Sequence, residues 1–112
     1  MVKPGGKSEA IVESIDVYLT LCELTGIPLP DGIDGESLMK NLLDPSMKGG
    51  SAISYFGDNE TIRTDRYRLT RHGENKFELY DHTGIDGETT NLADKKPELI
   101  DEINGIMREL MK

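Results

Sequence analysis

The spacing of apolar residues changes from helical to alternating about halfway along the chain. Residues 14–26, SIDVYLTLCELTG, predict a helix with Ser14 as its N-cap and Gly26 as the left-handed residue after its end. Along this helix the polar side chains recur at i, i+4 and i+7 as one narrow stripe, and apolar side chains cover the rest of the surface. Such a helix is expected to be buried on more than one side. The stripe consists of Asp16, Thr20 and Glu23.

A turn region and a shorter helix follow. Residues 28–45, PLPDGIDGESLMKNLLDP, combine glycine and aspartate turns with a helix near residues 36–43, which ends before the last proline. The segment PSMKGG, residues 45–50, then predicts a flexible joint. We therefore divide the chain into residues 1–48, a helical segment, and residues 49–112.

Beyond the joint, apolar and polar residues alternate in four short segments, which predict four β-strands. Connections as short as GDNE, a residue or two around Asp65, and GEN require consecutive strands to be antiparallel neighbours. With Asn75 of the GEN loop in the left-handed conformation, His72 lies opposite Lys76. The predicted strands are SAISYFG at 51–57, TIRT at 61–64, RYRLTRH at 66–72 and KFELYDH at 76–82.

The last predicted helix runs from about residue 95 to residue 110, with Asp94 as its N-cap and Pro97 in its first turn, where proline is tolerated. One face of this helix is apolar, so it is expected to cover the inner face of the sheet. The predicted fold class is α+β: a small four-stranded antiparallel sheet packed by a C-terminal helix and preceded by a helical segment. The apolar face consists of Leu99, Ile100, Ile103, Ile106, Met107 and Leu110.

The composition of the chain limits its possible binding partners and its cellular compartment. The 112 residues carry a formal net charge of −8, and the pI near 4.7 disfavours nucleic acid and anionic membrane as partners. No apolar run approaches the roughly 20 residues of a membrane span, and the first ten residues lack the apolar core of a signal peptide. We therefore expect either a cytosolic protein or the later part of a longer chain. The single cysteine, Cys22, rules out an internal disulfide.

Four of the five arginines lie between residues 63 and 71, a local excess of positive charge in an acidic chain. In the predicted register Arg66 and Arg68 share a face with three polar or aromatic side chains, so a carboxylate and an aromatic ring are their expected neighbours. The alternative is an anionic ligand or an acidic surface. Arg63 lies at a strand end beside a loop, where ligand contacts concentrate. The three expected neighbours are Glu78, Tyr80 and His82.

No catalytic or metal-binding group is predicted from the residues alone. Cys22 has no histidine or basic residue at i±3 or i±4 that would activate it, which favours a buried, inert thiol. His72 and His82 lack a third ligand at the spacing of a zinc site. The aspartates and the glutamate in the two glycine-rich turns lack the spacing of a calcium-binding EF-hand loop. These acidic residues are Asp31, Asp34, Asp86 and Glu88.

Residues 12–38 and 62–94 together resemble the C-terminal part of sulfatases of the alkaline-phosphatase superfamily, of the iduronate and choline sulfatase type. In that family V-E-x-x-D-x-x-P-T-L is followed by G-I-P-x-P and D-G-x-S-L, and a later subdomain carries R-T-x-x-Y-R-L, E-L-Y-D and D-P-x-E-x-x-N-L-A. The chain departs from these patterns at Leu19, where the family has proline, and at Ile85-Asp86, where it has Asp-Pro. The matching residues are Val12, Glu13, Asp16, Thr20, Leu21, Gly26, Ile27, Pro28, Asp34, Gly35, Ser37, Leu38, Arg63, Thr64, Tyr67, Arg68, Leu69, Glu78, Leu79, Tyr80, Asp81, Glu88, Asn91, Leu92 and Ala93.

The resemblance implies a parent enzyme that hydrolyses sulfate esters, with a saccharide or another small anion as substrate. The family's nucleophile is a cysteine in C-x-[P/A]-x-R, converted to formylglycine, and its calcium ion is held by aspartates and an Asn or His, all upstream of the matching part. Cys22 is followed by Glu-Leu-Thr-Gly, which is not that motif. The resemblance therefore implies that this chain is inactive alone and holds no cofactor. It also implies that the helical segment 1–48 ends a larger catalytic α/β domain and that 49–112 is the C-terminal subdomain.

Partners and substrate contacts follow from the same resemblance. The expected partner is the N-terminal catalytic domain of the same protein, on which the apolar helix would pack; an oligomer through that helix is the alternative. The parent is expected to be exported, periplasmic or extracellular, or lysosomal. Two other functions stay open, a free-standing interaction module and the tail of a superfamily phosphodiesterase or phosphonate hydrolase. The residues assigned to substrate binding are Arg63, Tyr55, Phe56, Asp58 and Asn59, for which stabilisation of the sheet edge is the competing interpretation.

Overall fold

The computed structural model describes residues 4–84 and 87–112 of the chain. The chain divides into two compact units, Met1–Gly50 and Ser51–Lys112. The first unit holds two short helices, and the second holds a four-stranded antiparallel sheet followed by a helix. This α+β arrangement confirms the predicted fold class. The assignment of residues 1–48 and 49–112 to two domains of a parent enzyme stays a prediction.

The sheet of the second unit has the strand order β1-β2-β3-β4, so each strand pairs with its neighbour in sequence. The predicted GDNE connection between the first two strands is wrong, because its last two residues belong to β2. Only Gly57 and Asp58 form the turn, and Gly57 has φ +58° at the position where a type II′ turn requires glycine. The strands are β1 Ala52–Phe56, β2 Asn59–Arg63, β3 Tyr67–His72 and β4 Lys76–Asp81.

The β3–β4 pairing has the register that the sequence predicts. His72 lies opposite Lys76, and Arg68 lies opposite Tyr80. The prediction that Asn75 adopts the left-handed conformation is wrong. Gly73 has φ +62°, because a residue without Cβ takes this conformation at no steric cost.

The hydrophobic core of the second unit lies between the inner face of the sheet and helix α3, Pro97–Leu110. Pro97 lies in the first turn, as predicted, but it is the first helical residue, so the helix begins about two residues later than predicted. Lys96 rather than Asp94 occupies the N-cap position, and no side chain caps the helix. Two members of the predicted apolar face, Ile106 and Leu110, are exposed. The core consists of Ile62, Leu69 and Leu79 of the sheet with Ile100, Ile103 and Met107 of α3.

Helix α1, Asp16–Leu24, turns two of the three residues of its polar stripe inward within the first unit, whereas Glu23 is exposed. Asp16 and Thr20 are buried. The predicted cap is wrong, because Ile15 holds the N-cap position without a side-chain hydrogen bond. Gly26 follows the helix with φ +75°, as predicted. The second helix, α2 Met39–Leu43, begins three residues later than predicted.

The late start of α2 has a cause in α1. The Asp16 Oδ1 atom accepts a hydrogen bond from the Glu36 backbone N–H at 2.9 Å, and Thr20 Oγ1 accepts one from the Leu38 N–H at 2.8 Å. These side chains hold residues 36–38 as a connecting segment against α1. Gly35 lies just before it with φ +102°, and a Cβ there would be 2.7 Å from the Ile15 carbonyl oxygen.

The apolar side of α1 is uncovered. Val17 and Leu21 are 51% and 55% exposed, and Tyr18 and Leu24 are also exposed. Only two apolar side chains of this helix are buried, Leu19 and Cys22. Within the described part of the first unit, the expectation that α1 is covered on more than one side is not met.

Candidate functional site on the polar face of the sheet

The side of the sheet that α3 does not cover is lined by polar and charged residues. Alternation along each strand sends the core residues Ile62, Leu69 and Leu79 to one side and their sequence neighbours to the other. We call this other side the polar face. On β2, β3 and β4 it consists of Asn59, Thr61 and Arg63, of Arg68, Thr70 and His72, and of Lys76, Glu78 and Tyr80.

Three of the four clustered arginines form ion pairs within the chain. Arg66 binds Asp81, with Nη2 2.8 Å from Oδ2, and its guanidinium lies 4.9 Å from the centre of the Tyr67 ring. Because of this hydrogen bond and those from Thr83, the pKa of the Asp81 carboxyl is well below its usual range. The pKa of Arg66 is raised by the same carboxylate.

The predicted neighbours of Arg66 and Arg68 are only partly right. Arg66 precedes β3, so the strand alternation does not extend to it, and its acid is Asp81 rather than Glu78. Arg68 lies opposite Tyr80 as predicted, but its Nη1 donates to Glu88 Oε1 at 2.7 Å.

The third ion pair lies across β2 and β3. Arg71 binds Glu60, its register partner on the side of the sheet that faces α3. Arg66, Arg68 and Arg71 thus each have a carboxylate partner, as the structural interpretation predicts.

Both histidines of the chain contact a glutamate. His72 Nε2 contacts Glu78 Oε2, and His72 Nδ1 lies 3.1 Å from Asn59 Oδ1. The hydrogen bond from His72, together with one from the Tyr80 hydroxyl at 2.9 Å, lowers the pKa of Glu78. The hydrogen bond to Glu78 raises the pKa of the Tyr80 hydroxyl, and burial adds to this effect.

The second histidine shares its acid with an arginine. His82 Nε2 lies 2.9 Å from Glu88 Oε1, the same oxygen that accepts from Arg68. Glu88 therefore ties β3 to the segment after β4. The sequence analysis placed Glu88 in a turn and did not predict its contacts with Arg68 and His82. The match of Glu88 to the glutamate of the last family motif could have indicated them.

Arg63 differs from the other arginines of the cluster. Its Nη1 donates to the Thr64 carbonyl oxygen at 3.0 Å, and among the described residues no carboxylate lies within ion-pair distance of it. Arg63 is the register partner of Arg68, so two guanidinium side chains lie next to each other on the polar face. The Nε of Arg68 is shielded from solvent and has no hydrogen-bond partner in the described part of the chain.

The structure does not bring the predicted substrate-binding residues into one place. Asn59 and Arg63 are the two ends of β2, about 13 Å apart at the usual rise per residue. Asn59 instead contacts His72, and the Asp58 carbonyl accepts the Gly73 N–H at 3.2 Å. Tyr55 and Phe56 at the end of β1 are 75% and 87% exposed, so both rings are available for contacts.

The structure also shows the surroundings of the residues for which no catalytic or metal-binding role is predicted. Cys22 is buried in α1, which confirms the interpretation as a small core residue. Within residues 4–84 and 87–112, no three His, Cys, Asp or Glu side chains lie close enough together to hold a metal ion. The departure from the family pattern at Ile85-Asp86, and Asp86 as a turn acid, lie outside the described residues. In the part of the chain that the structure describes, no helix has the length and apolar character needed to cross a membrane.

Comparison with curated proteins gives sulfatases. The chain is 26% identical to arylsulfatase K of Xenopus laevis over 98% of its own length and 24% of that protein. It is 30% identical to a sulfatase of Formosa agariphila over 80% of its length and 18% of that protein. The chain thus spans about a fifth to a quarter of the length of these relatives. No protein-family model matches it.

Comparison with solved structures gives sulfatases and a phosphonate monoester hydrolase. A 2-O GAG sulfatase matches with a TM-score of 0.68 and 28% identity over 84% of this chain and 23% of that one. A phosphonate monoester hydrolase from Silicibacter pomeroyi matches with a TM-score of 0.73 and 25% identity over 97% of this chain and 27% of that one. These relatives and neighbours support the interpretation of the chain as a C-terminal portion of a sulfatase.

Proposed function

We propose that this C-terminal portion of a sulfatase comes from a parent enzyme that hydrolyses sulfate esters of a saccharide or another small anion. We assign the parent to the iduronate and choline sulfatase type, on the motifs shared by residues 12–38 and 62–94. The observation that carries the proposal is the similarity to sulfatases along 80–98% of this chain.

The chain itself is proposed to be non-catalytic. Its one thiol, Cys22, is buried on a helix without a basic neighbour at helical spacing, which leaves it a poor nucleophile. The residues that the structure describes do not fit a calcium site either, because they bring no three suitable ligands together. We therefore expect the formylglycine nucleophile and the calcium ion in the remainder of the parent enzyme.

The role proposed for this portion is to border the substrate cleft with the polar face of its sheet. Arg63 is the proposed contact for a negatively charged substrate group, because no described carboxylate neutralises it. The turn after β1 is a second proposed contact, since Tyr55 and Phe56, which precede Asp58 and Asn59, have exposed rings. The distance along β2 between Arg63 and Asn59 means that one small substrate would touch only one of these two places.

The apolar side of α1 is proposed to pack on the catalytic domain of the same protein. Its exposed side chains would bury against a partner, and the part matched here is only 24% and 18% of the length of the two relatives. Association with a second copy of this chain through the same helix is the competing outcome. As for the sulfatases it resembles, we expect the parent to be exported or lysosomal.

The test is expression of the longer reading frame that contains this chain. We expect upstream C-x-[P/A]-x-R, hydrolysis of a chromogenic sulfate ester, and loss of at least 1000-fold in kcat when that cysteine is changed to alanine, a loss within the range for a catalytic nucleophile. The 112-residue chain alone should show no turnover with or without calcium. Turnover by the short chain that persists in Cys22→Ala would overturn the proposal.

A phosphonate or phosphodiester hydrolase is the second candidate, because the phosphonate monoester hydrolase covers 97% of this chain in the structural comparison. The same longer enzyme distinguishes the two. A kcat/KM at least 100-fold higher for a phenyl sulfate than for a phenyl phosphonate supports the sulfatase, and the reverse ratio supports the second candidate.

A further inference from the structure

We infer that the protonation of His72 sets which end of the Asn59 side-chain amide faces solvent beside the turn after β1. With the ring protonated, Asn59 presents its NH2 group, a hydrogen-bond donor. With the ring neutral, it presents its carbonyl oxygen, an acceptor. This exchange does not depend on the function of the parent enzyme. Its consequence for a substrate rests on the proposed function, in which Asn59 is one of the contacts at that turn.

The first argument is the position of His72 in the sheet. Its register partner on β2 is Asn59, so the ring and the amide are neighbours on the polar face. Nδ1 of the ring lies 3.1 Å from Asn59 Oδ1, and Nε2 contacts Glu78 Oε2. Because both ring nitrogens face oxygen atoms, only the protonated ring, with an N–H on each nitrogen, can donate to both. The orientation of the amide in the structure is therefore the one that a protonated His72 requires.

The second argument is the Glu78 carboxylate, which decides the ring nitrogen that loses its proton. Hydrogen bonds from His72 and from the Tyr80 hydroxyl lower the pKa of Glu78, so this carboxylate is ionised throughout the range from pH 5 to pH 8, in which histidine changes charge. A hydrogen bond to an ionised acceptor is stronger than one to a neutral amide oxygen. As the pH rises, Nε2 therefore keeps its proton on Glu78 and Nδ1 loses its own.

The loss of this proton places two acceptors opposite each other, the bare Nδ1 of the ring and the amide oxygen of Asn59. Rotation of the amide places an Nδ2–H on Nδ1 instead and sends Oδ1 to solvent. Asn59 is exposed, and its Nδ2 has no hydrogen-bond partner in the described part of the chain that would oppose this rotation. The turn stays closed in both states, because the Asp58 carbonyl accepts the Gly73 N–H at 3.2 Å.

The other ionisable groups around the ring leave this exchange intact. Lys76, which lies opposite the ring on β4, is exposed, so water and salt screen its charge. The loops at this end of the sheet carry Asp58 and Glu74, which are exposed. The Tyr80 hydroxyl stays neutral, because its pKa is raised by the carboxylate to which it donates. Strand β1 contributes no charged side chain.

The two states differ in the substrate group that they attract. A sulfate oxygen accepts hydrogen bonds, so the NH2 group of Asn59 in the protonated state can donate to it. The carbonyl oxygen of the neutral state repels it. The turn after β1 therefore favours an anionic group at the acid end of the range from pH 5 to pH 8, in which histidine titrates.

The experiment follows the His72 ring nitrogens and the Asn59 side-chain NH2 group of this chain by NMR between pH 5 and pH 8, the range in which histidine titrates. We expect two protonated ring nitrogens at the acid end and a proton on Nε2 alone at the other end. The Asn59 NH2 signals should move with the same midpoint as the ring. The NH2 signals of Asn104 on α3 are the internal control and should move at least fivefold less. Asn59 signals that do not follow the ring, or a neutral ring with its proton on Nδ1, would overturn the inference.

The variants separate His72 from a general effect of pH. His72→Gln should reduce the movement of the Asn59 NH2 signals at least fivefold, and His82→Gln, which removes the other histidine, should change it less than twofold. If His72→Gln fails to fold, Glu78→Ala removes the acceptor of Nε2, and the share of neutral rings with the proton on Nδ1 should rise at least fivefold. Equal responses in the two histidine variants, or a proton that stays on Nε2 in Glu78→Ala, would overturn the inference. Neither result would touch the proposed function, which turnover by the longer enzyme tests.

Discussion

Asp16 and Glu36 are joined across the first unit by a hydrogen bond from the Glu36 N–H to Asp16 Oδ1 at 2.9 Å. The other carboxylate oxygen accepts the Glu13 N–H at 2.8 Å. One buried carboxylate thus fixes the chain on both sides of α1, before the helix at Glu13 and after it at Glu36. This contact gives a physical reason for an aspartate at that position of the resemblance motif.

Removal of this carboxylate should loosen the connecting segment. Asp16→Ala leaves two N–H groups without partners, and we expect a loss of about 1–3 kcal/mol in the free energy of unfolding of the first unit. Amide hydrogen exchange of Glu36 should accelerate accordingly. Asp34→Ala, at an exposed turn position, is the control and should leave exchange unchanged. Equal protection in both variants would contradict this role of Asp16.

Gly35 should not tolerate a side chain. An alanine there would need φ near +102° and would place its Cβ 2.7 Å from the Ile15 carbonyl oxygen. We expect Gly35→Ala to cost about 1–3 kcal/mol from backbone strain alone, measured by urea unfolding. Gly50→Ala is the matched control, because a Cβ at Gly50 meets no atom within 4 Å. If Gly35→Ala is as stable as the control, position 35 does not lie close to the Ile15 carbonyl oxygen.

The stability of the second unit should depend far more on Met107 than on Met111, the methionine four residues later. Met107 is fully buried against the sheet, whereas Met111 is exposed. Met107→Ala should destabilise this unit by about 2–5 kcal/mol, the usual cost of a large-to-small change in a core. Met111→Ala should change the unfolding midpoint very little. Similar midpoints for the two variants would place the core elsewhere.

Acid should weaken the second unit through two carboxylates. The pKa of Glu78 is lowered by His72 and Tyr80, and that of Asp81 is lowered by Arg66 and Thr83. Their contribution is complete above the unfolded values of about 4.5 and 3.8, and it is lost as the pH falls through the lower folded values. Urea midpoints measured from pH 6 to pH 2 should therefore fall, and less steeply in Glu78→Gln and Asp81→Asn. A slope unchanged in both variants would refute the assignment.

The uncovered side of α1 should be tolerant to polar substitution in this chain. Val17→Gln and Leu21→Gln change exposed positions, so we expect folding free energies within about 0.5 kcal/mol of the original chain. Binding of a hydrophobic dye should fall in the double variant. In the longer enzyme the same double variant should destabilise the protein, if α1 packs on the catalytic domain there. An unchanged longer enzyme would argue against that packing.

The parts of the fold that the sequence predicted are those governed by local rules. The pairing of His72 with Lys76 followed from strict alternation on both sides of a three-residue loop. The turn at Gly57 was misjudged because Asn59 and Glu60 are polar residues on a partly exposed strand, which resemble loop residues in a single sequence.

The remaining errors come from contacts between residues distant in the chain. The direction in which α1 turns its polar stripe depends on backbone N–H groups eighteen to twenty residues later, at Leu38 and Glu36. The acid that binds Arg68 is also twenty residues away. No periodicity in the sequence encodes such pairings, so the contacts of Glu88 with Arg68 and His82 were missed, and the role of Arg63 stays a prediction.

The orientation of α1 reverses the usual relation between residue type and mutational sensitivity. In a systematic substitution scan of this chain, most substitutions at the polar positions 16 and 20 should destabilise the fold. The apolar positions 17 and 21 should accept almost any residue. The same scan in the full-length enzyme should find all four positions restricted. The difference between the two maps would outline the surface that the rest of the protein occupies.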